Sequence, residues 1–360
     1  MIGDNSRTSE RYIPSLNDWV KDTIVPVNIY SNAEMGAGFL LPDGRAFFLG
    51  GTGHTVFYTP SPLGVTNAGT WDQGPDIPEG RVTSDIPAAM MANGKVLCLV
   101  GSSSPNGGSP APTWFYEYDY TVDPTNAFKP TSSPGNAAVG SSYDAAGHSL
   151  SLLDLPDGTV LFSDAQDPSG QLYVYRPDTP PLAGGKPAIA SVSWNADGSL
   201  HLSGTLFNGI SEGASIGDDA QMASNYPLVR FTGGGGIVHY GRTYNWSSTG
   251  VMTGSKIVTT EATLPVNVYV SPGTYSLQVV ANGIASDPVT FHEPVWVDFN
   301  YTVGPEDGSY AHPYDTLAKG VTAVSSGETI AIKPGSSPET MTISKPMTIT
   351  AIGGAATVGH

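Results

Sequence analysis

The sequence predicts an all-β chain of several modules: a partial β-propeller, then a β-sandwich, then the start of a parallel β-helix. Three observations carry this expectation. Gly 44 and Pro 30 make up about a fifth of the 360 residues and only 13% are charged, a composition of short strands and tight turns rather than of helices. A hairpin unit recurs three times in the first half at a period of roughly 50 residues, the length of a propeller blade. Beyond it the pattern changes to evenly spaced single strands, and near the end to short strands in quick succession.

The repeat is an apolar strand, a turn, a second apolar strand and then an aromatic-rich third strand. Its hairpins run through Gly38–Gly51, Pro87–Gly101 and Ser149–Asp164, with Asp43-Gly44, Asn93-Gly94 and Asp157-Gly158 at the turns. Asp-Gly or Asn-Gly between apolar runs is the strongest short-range hairpin signal. The third strands are Val56–Pro60, Trp114–Tyr118 and Leu172–Pro177, and Gly69-Thr70-Trp71 starts a fourth in the first copy. Residues 1–177 are therefore a propeller segment of about three blades. Three blades do not close a ring, so either a divergent blade lies within Asn17–Ser31 or the chain is a fragment lacking upstream blades; the fragment is the preferred expectation.

Residues 178–185, rich in Pro and Gly, form a linker. Candidate strands then follow at Ile189–Trp194, Ser199–Leu206, Pro227–Thr232, Ile237–Arg242, Lys256–Thr260, Thr263–Val270, Thr274–Ala281 and Pro288–His292. That number of short strands in residues 186–293 describes an immunoglobulin-like sandwich. In residues 294–360 a helical pattern at Leu317–Val324 precedes Glu328–Ile332, Thr340–Ile343 and Met347–Thr350, the rhythm of an N-terminal cap and the first coils of a parallel β-helix. A further continuation past His360 is expected, because so few coils cannot bury a core of their own.

Composition excludes several function classes. Lys+Arg 15 against Asp+Glu 32 gives a net charge of -17, which repels a phosphate backbone, so no nucleic-acid partner is expected. No apolar run is long enough to span a bilayer, and the first residues carry no export signal. Cys98, the sole cysteine, lies in the apolar run Val96–Val100, where it reads as a small buried hydrophobe. Abundant Thr, Ser, Asn and Gly with little charge suggest an extracellular or cell-surface setting.

The Leu-Pro-Asp-Gly hairpins ending in Gly-Gly, followed by a sandwich containing Pro227–Phe231 and Gly273–Val280, resemble the galactose oxidase and glyoxal oxidase family over roughly Asn32–Phe291. The resemblance implies a kelch-like propeller with an E-set sandwich; the tail separately resembles right-handed β-helix surface proteins. It also implies oxidation of alcohols or aldehydes at copper with a tyrosyl radical cross-linked to cysteine. Carried over residue by residue, little of that site survives. His148 matches one copper ligand, but Gly147 stands where its companion tyrosine is expected, Met35–Gly38 has no cysteine and Arg81–Ser84 no tyrosine. The loop Gly241–Ser247 lacks the second histidine, His239 falling within a strand. Copper is therefore not expected.

Other constellations are weaker. The remaining histidines show no metal-ligand spacing. Gly213–Gly217 fits a serine nucleophile elbow but lies in a sandwich loop with no helix after it, and Gly233–Gly236 lacks the lysine of a phosphate loop. Asp218 and Asp219, or Asp164 with Asp167, offer oxygens to calcium. Tyr143, Tyr244 and Trp246, on loops and strand ends, are candidates for stacking on sugar rings. The leading expectation is a non-catalytic surface protein that binds glycan or another cell-surface partner. The alternatives are a carbohydrate or alcohol oxidase, or other carbohydrate-active enzyme, with His148 as a surviving ligand, and a purely structural spacer.

Overall fold

The computed structural model describes residues 7–31, 34–104, 108–212, 224–265, 268 and 273–359. Its fold is all-β, as the composition predicts. Two compact units divide it: Met1–Lys186 with Gly209–Asn225 and Asn282–Ile284, and Pro187–Asn208 with Tyr226–Ala281 and Ala285–His360.

The first unit opens with a hairpin that the sequence reading did not anticipate, β1 (Glu10–Ile13) against β2 (Asp18–Lys21). Within Asn17–Ser31 β2 is the only strand. Three antiparallel meanders follow. The first is β3 (Gly38–Leu40), β4 (Ala46–Leu49), β5 (Thr55–Thr59) and β6 (Thr70–Gln73), paired in chain order. The second is β7 (Ala88–Met90), β8 (Val96–Gly101), β9 (Thr113–Tyr118) and β10 (Phe128–Pro130), and the third is β11 (Leu150–Asp154), β12 (Val160–Asp164) and β13 (Tyr173–Tyr175). Their hairpin turns share one geometry. Leu41 O accepts from Gly44 N at 2.9 Å while Leu41 N donates to Arg45 O at 2.8 Å, and Met91–Lys95 and Leu155–Thr159 repeat the pattern. Gly44, Gly94 and Gly158 stand at φ 87°, 83° and 83°, and the Asx residue before each stays at negative φ. This is a type I turn closed by a glycine bulge, which explains why glycine occupies the third turn position.

The meanders stack face on face. Phe47, Leu49, Ala88, Met90, Val96, Cys98 and Tyr118 share one buried core, and Phe47 lies parallel to Tyr118 with ring centroids 4.5 Å apart. The alternate residues Ala89, Met91, Leu97, Leu99 and Phe115 enter a second core with Leu152, Val160 and Phe162. Every residue of β8 is buried because a layer covers each of its faces.

The second unit folds β14 (Ala188–Trp194), β15 (Leu200–Thr205), β16 (Leu228–Thr232), β17 (Val238–Tyr244), β18 (Val258–Ala262), β19 (Gly273–Ala281), the short β20 (Ile284–Ala285) and β21 (Val289–Glu293) around one core. The ladder runs β14-β15-β18-β17-β16-β19, with β21 on the other edge of β19. β17 makes the corner: residues 238–242 pair with β16 and residues 243–244 with β18. Leu200, Leu202, Val229, Phe231, Leu277 and Val279 close on one another inside the curl. The strand expected at Thr263–Val270 does not form at its described residues: Thr263–Pro265 are irregular and Val268 is helical. Pro265 has no N–H to give a ladder.

The same unit ends in parallel pairs. β22 (Val295–Val297), β23 (Thr329–Ile332) and β25 (Thr348–Ala351) form one sheet, while β24 (Gly335–Ser337) and β26 (Ala356–Val358) form another. The crossover carries α1 (Leu317–Ala323). Glu339 accepts from its first amides, Leu317 N at 2.8 Å and Ala318 N at 3.1 Å, and Lys345 Nζ donates to Val321 O and Val324 O at 2.7 and 2.6 Å. A carboxylate at the N-terminus and an ammonium at the C-terminus both match the helix dipole. Thr340–Ile343, expected as a strand, is irregular. Its side chains are exposed, so no packing rewards extension.

Phe47→Ala is expected to destabilise the first unit by about 3–5 kcal/mol through the cavity it leaves, measured as a shift in urea midpoint. Cys98 is fully buried and its thiol is pushed above its usual range by that burial; it should resist an alkylating reagent in the native protein and react at the rate of unfolding.

Candidate functional site

Period-2 alternation gives β4 two different faces. Phe47 and Leu49 point into the shared core, while Ala46 and Phe48 point to the opposite face. Register carries that second face across the meander: Ala46 opposes Tyr58, Phe48 opposes Val56, and Tyr58 opposes Trp71. Phe48, Tyr58 and Trp71 therefore form an aromatic wall, Trp71 lying 4.9 Å from Tyr58 and 5.6 Å from Phe48.

The β1–β2 hairpin supplies the facing wall. Tyr12 and Trp19 are directly opposite in its ladder, with centroids 5.5 Å apart, and are 40% and 49% exposed. Between the walls lies a pocket of about 300 Å³, also lined by Ser9, Glu10, Arg11, Asp22 and Ala46. The small side chain of Ala46 leaves the space that a larger residue would fill.

Polar bonds fix the two walls to each other. Asp22, 2% exposed, pairs with Arg11 at 2.9 Å and accepts from the Tyr58 hydroxyl at 2.6 Å. Arg11 donates to the carbonyls of Val65 and Thr66 at 3.0 and 3.1 Å, and Trp71 Nε1 donates to Ser9 Oγ at 3.0 Å. Burial works to raise the Asp22 carboxyl, but the Tyr58 hydroxyl, the Arg11 guanidinium and the Thr23 amide outweigh it and hold the group below its usual range. The Tyr58 hydroxyl is correspondingly raised, by burial and by the carboxylate it bonds. The result is a preformed slot with five aromatic rings and an ionised anchor, able to hold a ring-shaped ligand with one apolar face.

None of the five rings was singled out from the sequence. The legible signal was Tyr58 and Trp71 on alternate positions turned away from the repeat core; Tyr12 and Trp19 belong to a hairpin that has no copy in the repeat.

The sequence-predicted residues lie elsewhere and in both units. In the first, Tyr143 pairs by backbone with Thr113, packs edge-on to Phe162 at 5.3 Å, and is raised by burial and by Asp164, to which its hydroxyl bonds. His148 is exposed on a 3₁₀ turn with the Gln166 amide 3.4 Å from Nε2. Asp164 and Asp167 accept from Gln166 N and Ser169 N at 2.9 and 2.8 Å, the work of turn-forming aspartates. Cys98 lies fully buried in the core shared by the first two meanders. In the second unit Tyr244 ends β17, and Trp246 is 39% exposed, donates to Thr243 Oγ1 at 2.9 Å and stands 5.9 Å from Tyr226, an aromatic partner the sequence reading did not name. Asp218, Asp219 and the Gly213–Gly217 string lie outside the described residues. Among the described residues no group of three or more His, Cys, Asp or Glu side chains could hold a metal ion, and no helix is long and apolar enough to cross a membrane. No protein-family model matches the sequence, and no curated protein matches it.

Asp22→Asn should lower stability by about 3 kcal/mol at neutral pH, because it leaves Arg11 without a charged partner. The sign with pH follows from the lowered carboxyl: its contribution is present above the ordinary carboxylate range and is lost as pH falls through the lowered value. Urea midpoints of wild type and Asp22→Asn should therefore converge in strong acid; a gap of equal size at pH 7 and pH 3 would remove the ionised carboxylate from this account.

Proposed function

We propose that this chain is a modular extracellular or cell-surface protein that binds glycan, with the slot between the β1–β2 hairpin and the first meander as its sugar site. The reading takes the meanders as blades of a kelch-like propeller, the curled sheet as an immunoglobulin-like E-set sandwich and the parallel pairs as the first coils of a β-helix, on a galactose oxidase-like scaffold. One observation carries it: Tyr12, Trp19, Phe48, Tyr58 and Trp71 line a single open pocket of about 300 Å³. An aromatic face matches the C–H face of a pyranose, and such a site needs few polar groups if its rings are held rigid in advance. The Arg11–Asp22–Tyr58 bonds supply that rigidity. The net charge of -17 favours neutral over anionic sugars. The Tyr226–Trp246 pair is a second, shallower aromatic surface of the same chemistry.

A glycan array followed by titration calorimetry tests the reading. Neutral glycans should bind, and Trp19→Ala, which removes a half-exposed ring at little cost to folding, should weaken binding about tenfold, the equivalent of roughly 1.4 kcal/mol. Trp246→Ala measures the share of the second surface. Unchanged binding in Trp19→Ala would move the site away from the slot, and peroxide release from galactose or glyoxal by copper-treated protein would replace binding with oxidase activity.

A further inference from the structure

The second unit contains a cavity of about 310 Å³ where the end of β21 meets β22, the turn after α1 and the start of β23. Its chemistry is unlike that of the aromatic slot. Glu293 lines it, yet that side chain is only 3% exposed. Glu293 Oε1 accepts from Trp296 Nε1 at 3.0 Å, whereas Oε2 is buried with no hydrogen-bond partner among the described residues. A buried carboxylate oxygen left this way costs several kcal/mol unless a proton or a cation meets it. The ladder leaves the space: Gly273 is the residue opposite Glu293, so no side chain from β19 fills the position across from it.

A second carboxylate, Glu328, lines the same cavity; its Oε2 lies 3.0 Å from His292 Nδ1 and its Oε1 accepts from Thr274 Oγ1 at 3.3 Å. Val295 and Val324 give the cavity an apolar wall. Two carboxylates repel an anion. A bare metal ion asks for three or more such ligands, and no such group occurs among the described residues.

We propose that this cavity is a binding site for a small alkylammonium ion, whose N–H groups bond Glu293 Oε2 and whose alkyl chain lies on Val295 and Val324. Binding exchanges one cation for another. The Glu293 carboxyl, pushed up to about 8 by burial and only partly offset by the Trp296 bond, carries a proton at neutral pH in the empty site. The ammonium replaces that proton, which leaves to solvent. Of the titratable groups packed around the cavity, Tyr275 from β19 feels the Glu293 charge, while His292 on β21 and Glu328 before β23 pair with each other.

The test is titration calorimetry of the full chain with n-butylammonium chloride from pH 6 to pH 9, in paired buffers of different protonation enthalpy. Saturable one-to-one binding is expected at pH 9, weakening about tenfold per pH unit below about pH 8, with about one proton released per ion bound at pH 7. Glu293→Gln should weaken binding at pH 9 at least about tenfold. Should that variant fail to fold, proton release in the wild type decides alone. Absence of saturable binding at pH 9, binding without proton release at pH 7, or equal affinity in Glu293→Gln would each overturn the proposal.

Discussion

A sheet whose alternate side chains are apolar on both faces has to be covered on both, and the first unit is built by meeting that demand one layer at a time. β8 and β9 sit between two cores, with Cys98 and Tyr118 facing Phe47 on one side and Leu97, Leu99 and Phe115 facing Phe162 on the other. The first meander has a neighbouring meander on one face only. Its other face is met by Val25 and Ile29, which bury Val56, and by the β1–β2 hairpin, which stands off from Phe48, Tyr58 and Trp71. The pocket exists because this cover is a two-stranded hairpin rather than a full sheet.

Two buried carboxylates resolve the same electrostatic problem in opposite ways. Asp22 meets a guanidinium, a phenol and a backbone amide, stays ionised, and fastens the hairpin to the meander. Glu293 meets one indole N–H and is driven toward its neutral form. Burial opposes the charged form at both carboxyls, but it is deeper at Glu293 and the donors there are fewer, so the two settings support opposite protonation states. A satisfied carboxylate is an anchor, whereas a half-satisfied one retains an affinity for whatever cation can reach it.

The elements legible in the sequence were those with a local cause. Asp-Gly and Asn-Gly turns, strand alternation and the helical run at Leu317 each follow from φ preferences or from period, and the corresponding strands end within a few residues of expectation. The failures also have local causes: Pro265 breaks a run rich in strand formers, and Thr340–Ile343 alternates correctly but lies exposed. The candidate site was far less legible. Tyr143, Tyr244 and Trp246 are aromatic residues near strand ends, which is a property of each residue taken singly. The rings that converge do so across 59 positions of chain, from Tyr12 to Trp71, and convergence is a property of pairing and register.

The sequence by itself determined the all-β class, the repeated hairpins and the surplus of acidic charge, because backbone preference, periodicity and net charge act over a few residues or over the whole composition. Only the tertiary structure decided which face of the first meander remained open, that Trp19 and Trp71 would line one slot, and that Glu293 would be buried opposite a glycine. Those outcomes depend on which distant segments cover each sheet, and coverage is set by the summed packing of many side chains rather than by any motif.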